Sequence, residues 1–174
     1  MNGMSNECPP LYGKYRGVVT DNKDPNGLGR IQVKALDVAG GENISWAMPC
    51  VPYAGKDVGL YLIPPQDASV WIEFEHGDPD YPIWSGCFWA EGEVPVTSSK
   101  NEIMPEKKVL KTVVATITLN DSVSDGGVTI ETNQDPKMKI VINKDGIEIT
   151  NGQGASIKLS GPTVKINDQA LEVT

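Results

Sequence analysis

At 174 residues, with 18 glycines and 13 prolines to supply turns, the chain is long enough for one full domain plus an appendage. Its formal net charge is -8, and residues 1–94 carry six Lys/Arg against thirteen Asp/Glu, while the rest carries nine against ten. An acidic first half with no basic stripe argues against nucleic-acid binding, which draws its affinity from Lys and Arg neutralising phosphates.

Residues 1–11 read as a polar N-terminal tail. Met1–Pro10 has no charged region followed by an apolar one, so no signal peptide is expected, and no apolar run of 18 residues exists to span a bilayer. Synthesis in the cytoplasm is the resulting expectation.

Five unequal strands are expected between residues 12 and 90: Tyr15–Asp21, Arg30–Asp37, Ser45–Val51, Ser69–Glu75 and Tyr81–Trp89. Alternation is clearest in Ser69–Glu75, where Val70, Ile72 and Phe74 share one face and Trp71, Glu73 and Glu75 the other. Five short strands fit an OB-type barrel, whose closure removes exposed edges. Asp24-Pro25-Asn26-Gly27 and Gly77-Asp78-Pro79-Asp80 are turn sequences between strands. Asp24, Asn26, Asp78 and Asp80 are thereby candidates for contact with a partner, because loops positioned by a barrel commonly carry contacts.

Residues 91–111 are polar, contain prolines and lack a period, and so read as a linker. Beyond it seven short strands are expected over residues 112–174: Thr112–Leu119, Val128–Thr132, Met138–Asn143, Ile147–Thr150, Ala155–Ser160, Thr163–Asn167 and Ala170–Thr174. Each carries apolar residues at i and i+2: Ile117/Leu119, Val128/Ile130, Ile140/Ile142, Ile147/Ile149, Ile157/Leu159, Val164/Ile166 and Leu171/Val173. No aromatic residue follows Trp89, so a narrow aliphatic axis replaces an ordinary core. One chain alone would leave this apolar row half exposed. Three chains wound into an intertwined β-helix, or β-prism, would bury about 14 such side chains each, on the order of 20–40 kcal/mol per chain before entropy. A two-layer sandwich built from one chain is the plainer alternative, and strands this short would fill it poorly.

The chain offers little to chemistry. His76 is the only histidine; Cys50 and Cys87 read as small buried hydrophobes and Cys8 as a mobile thiol. No cofactor and no metal are expected, since Asp24, Asp78 and Asp80 lack calcium-loop spacing and His76 lacks neighbouring ligands. Glu73 and Glu75 are expected about 7 Å apart on one strand face, superficially a glycosidase pair, but a solvated face is the better reading.

Gly17–Val33 (GVVTDNKDPNGLGRIQV) resembles the opening of the phage baseplate assembly protein V and VgrG spike families. The Trp46 strand, Gly55–Ile63 followed by Pro64-Pro65, Val70–Glu75 and His76–Gly86 (HGDPDYPIWSG) follow in the order those families use. This resemblance covers residues 12–89. It implies an all-β spike without enzymatic activity: an OB barrel trimer on a baseplate hub, with a β-helical needle driven into the target envelope when the sheath contracts. Seven layers of roughly 4.8 Å would make a shaft of about 34 Å, close to the hydrocarbon core of a bilayer at about 30 Å. It further implies a separate hub protein at the barrel. Some relatives hold iron at their tip with histidines; none stand here, so Leu171, Glu172, Val173 and Thr174 are expected to meet a separate PAAR-type tip protein. The alternatives left open are an OB-fold nucleic-acid binder and a receptor-binding trimeric tail module.

Overall fold

A computed structural model of the chain describes residues 9–35, 37–38, 43–96, 104–168 and 170–173. Cys8 and Thr174 lie outside these. Two compact units divide between Glu93 and Val94.

The first unit contains β1 (Tyr15–Asp21), β2 (Ile31–Lys34), β3 (Asn43–Pro49), a small hairpin of β4 (Ala54–Gly55) and β5 (Val58–Gly59), β6 (Ser69–Phe74) and β7 (Pro82–Cys87). Five of these close a barrel in the order β1-β2-β3-β7-β6. All of its pairings are antiparallel except β3 with β7, which run parallel with Met48 beside Ile83. Alternation fills the interior: Val19, Ile31, Val33, Ala47, Val70 and Ile72 are fully buried, with Phe74 and Trp84 nearly so. The expected inward row of β6 is thus the core row. Register shifts at Val19/Asp21, Ile31/Val33 and Val70/Ile72 interrupt the ladders of this small barrel. Gly17 allows the close approach of β1 to β6, since a Cβ there would stand 3.1 Å from the Cγ1 of Ile72.

Two features of this unit depart from expectation. The β4–β5 hairpin is too short and too glycine-rich to show as a strand pattern. Cys50 and Cys87 are exposed in the chain rather than buried, because both stand where β3 and β7 leave the barrel at its rim.

The second unit is an antiparallel sheet of eight strands in sequence order: β8 (Lys107–Lys111), β9 (Ala115–Asn120), β10 (Gly127–Thr132), β11 (Lys139–Asn143), β12 (Gly146–Thr150), β13 (Ser156–Ser160), β14 (Thr163–Ile166) and β15 (Leu171–Val173). The last seven match the expected strands. β8 lies in the segment read as linker; its lysines mask Val109 and Leu110, which pair with Thr118 and Ile117. Lysines are how natural proteins guard an edge strand against stray pairing. Gly127 and Gly146 start β10 and β12 at φ of 153° and 134°, each opposite Asn143. A Cβ at Gly127 would strike the carbonyl oxygen of Ile142, and one at Gly146 that of Leu159.

Candidate assembly interface

Strand pairing converts the i, i+2 pattern into two continuous ladders. Ile117, Ile130, Ile140, Ile149, Ile157, Ile166 and Leu171 stand partner to partner across β9 to β15. Leu119, Val128, Ile142, Ile147, Leu159, Val164 and Val173 do the same in parallel register. At β8 the first ladder gains Leu110, whereas the second stops at Lys108, which pairs with Asp121. All fourteen residues named from the sequence are brought into these two rows.

The rows are not covered. Eleven of the fourteen side chains remain 36–52% exposed, while on β9 the intervening Thr116 and Thr118 are buried. On this strand alone, aliphatics outside and threonines inside invert the usual order of a half-buried strand. Thr116 is held by its hydroxyl, which donates to Asn133 Oδ1 at 2.6 Å. Asn133 Nδ2 in turn donates to the carbonyl of Thr112 at 2.8 Å, tying the β10–β11 loop to the β8–β9 turn. A groove of about 660 Å³ runs along the first ladder, lined by Ile130, Ile140, Ile149, Ile157 and Ile166 with Met138 beside them. Glu148 stands opposite Lys158 on the intervening row, an opposite-charge pair suited to a solvated face.

In the barrel the four loop residues have unequal roles. Asp24 accepts from the backbone N–H groups of Asn26, Leu28 and Arg30 at 3.0, 2.8 and 3.2 Å and forms an ion pair with Arg30 at 2.6 Å. With only 4% of its side chain exposed, it builds the loop and has nothing left to offer a partner. The Arg30 guanidinium, followed by the backbone bonds, holds this carboxyl well below the usual carboxylate range. Arg30 also lies over the Trp46 ring at 5.6 Å, and Trp84 Nε1 donates to the Gly29 carbonyl at 3.2 Å. Asp78 Oδ1 accepts from Asp80 N–H at 3.0 Å, closing the β6–β7 turn. Asn26, Asp78 and Asp80 are exposed. Sequence reasoning missed the clamp, whose only signal is an Asp and an Arg six residues apart across a Pro-Asn-Gly turn.

Of the two glutamates read onto one strand face, Glu73 lies in β6 and Glu75 falls just beyond its end. Glu73 is bound to Lys14 at 2.8 Å, which lowers its pKa, the wrong direction for a general acid. On the same face Arg16 stacks against Trp71 and Phe88, 5.1 and 4.9 Å from their ring centroids. Of β15, the segment named for a tip contact, the backbone pairs only with β14 and forms the sheet's outer edge.

A closed OB-type barrel joined in sequence to a sheet whose aliphatic rows lie bare defines an assembly component, built to be completed by other chains. Residues 15–89 match the Type VI secretion system/phage-baseplate injector OB domain, and residues 107–172 match the phage baseplate V C-terminal trimerisation domain. The chain belongs to the phage baseplate V/VgrG-type family. No curated protein matches it.

Proposed function

We propose that the protein is the central spike of a contractile tail or injection-system baseplate: a homotrimer whose second units wind together as an intertwined needle that mechanically pierces the target envelope. The observation that carries this is the pair of bare ladders. Fully burying an aliphatic side chain contributes about 1.5–3 kcal/mol, so covering the remaining two-fifths of eleven contributes on the order of 10 kcal/mol per chain. That is smaller than a tally from sequence, because each chain already half-covers its own rows. It is still comparable to the whole stability of a typical domain, about 5–15 kcal/mol, so the needle and its trimer form together. The match to a trimerisation domain supports three as the number.

In this reading the ladder residues from Ile117 to Val173 form the trimer axis. A separate hub protein meets the barrel at loops that include Asn26 and Asp78. A PAAR-type tip protein covers the β15 edges, where three unguarded strands would otherwise invite pairing. The work is mechanical rather than catalytic, and the protein resides in the baseplate of a phage tail or injection particle. Imaging of the assembled particle tests this: threefold density for the chain on the baseplate axis is expected. Density on peripheral fibres would overturn the spike in favour of a receptor-binding module.

A further inference from the structure

The β4–β5 hairpin presents an unusual surface. Leu60 N–H donates to the Tyr53 carbonyl at 2.9 Å, and Gly59, at φ 156°, brings its backbone so close that a Cβ would lie 3.0 Å from that same oxygen. The hairpin is therefore a fixed shape. Yet Tyr53, Val58, Leu60 and Tyr61 are 47–74% exposed on it, with Lys56 and Asp57 at its tip. Exposed apolar side chains gathered on one rigid element mark an interaction site.

A groove of about 340 Å³ on the same barrel has the opposite character. It is lined by Trp46, Met48, Tyr81 and Ile83, with Met48 and Ile83 brought together by the parallel pairing of β3 with β7, and by Glu75 and Asp80. It lies on the strand and loop face with which OB barrels take their ligands. Nucleic acid does not fit, since its one cation, Arg30, is already committed to Asp24. A stacked sugar does not fit either, because Arg30 lies over the Trp46 ring. Among the described residues, Glu75 and Asp80 make no ion pair, and neither does Lys56.

We propose that the β4–β5 hairpin of one protomer docks in this groove on the next protomer, Lys56 meeting Glu75 and Asp80 while Tyr53, Val58 and Leu60 cover Met48, Tyr81 and Ile83. The contact is head-to-tail, and repeated by a threefold rotation it closes into a ring of three barrels. It rests on the trimer proposed above and gives the barrels their own bond, independent of the needle.

The test uses the full chain with its three cysteines replaced by serine, carrying Lys56→Cys together with Asp80→Cys. Mild oxidation should convert most chains to covalent dimers and trimers on a non-reducing gel, with neither single variant doing so. Native mass is measured on the same sample before oxidation. Three-chain mass with only single-chain bands overturns the docking and leaves the trimer standing; single-chain mass overturns both. In a second arm, Lys56→Glu should lower the melting midpoint of the barrel, and adding Glu75→Lys with Asp80→Lys should restore it. No restoration counts against the pairing.

Discussion

Asp24 closes a seven-residue loop by gripping Arg30 at its far end, the guanidinium Nη2 donating to Oδ1 at 2.6 Å while three loop N–H groups turn to the same carboxylate. The loop joining β1 to β2 is thus organised from within, and Arg30 carries that order onto Trp46.

Replacing Asp24 by Asn should therefore lower the barrel's thermal midpoint at neutral pH. Because the native carboxyl is depressed, its contribution is full above the ordinary value of 3.8 and fades as pH falls from there toward the lowered value. Wild type and Asp24→Asn should differ most at pH 7 and converge in strong acid, as followed by thermal unfolding. A gap that widens on acidification would contradict the clamp.

Ile149→Asp would place a charge within a ladder that three chains share. The expected outcome is loss of needle structure, with the barrel's near-ultraviolet signal intact, since all four tryptophans lie there. Glu148→Gln, one residue away on the solvated row, should change stability by no more than about 0.5 kcal/mol. Equal effects of the two would mean that the rows are assigned to the wrong faces.

Gly146→Ala puts a methyl group against the Leu159 carbonyl at a left-handed φ of 134°. The backbone conformation alone costs on the order of 1–3 kcal/mol in each chain, before the collision is counted. Denaturant unfolding should show a needle transition shifted down with the barrel transition unmoved.

Glu73→Gln removes one side of the pair with Lys14, whose side chains are 39% and 51% exposed. Exposed pairs of this kind contribute about 0–1 kcal/mol, so stability should barely change. A large loss would show that Glu73 has a role beyond its partner Lys14.

Much of this architecture was legible in the chain. Val70, Ile72 and Phe74 announce the core of β6, and the seven aliphatic pairs announce the ladders, because period-two patterns need only neighbouring residues to be seen. What stayed hidden depends on distant pairing. β8 was masked by the lysines that guard an edge strand, and the β4–β5 hairpin spans two residues a side. The exposed cysteines sit at strand ends, where alternation no longer predicts burial. The groove of Trp46, Met48, Tyr81 and Ile83 exists only because β3 and β7, more than thirty residues apart in the chain, run parallel.

The central claim is that the bare ladders are one third of a shared axis. Native mass of the full chain in solution tests it most directly: a species of three 18.8 kDa chains is predicted, persisting on dilution. A stable, folded species of one chain would contradict it.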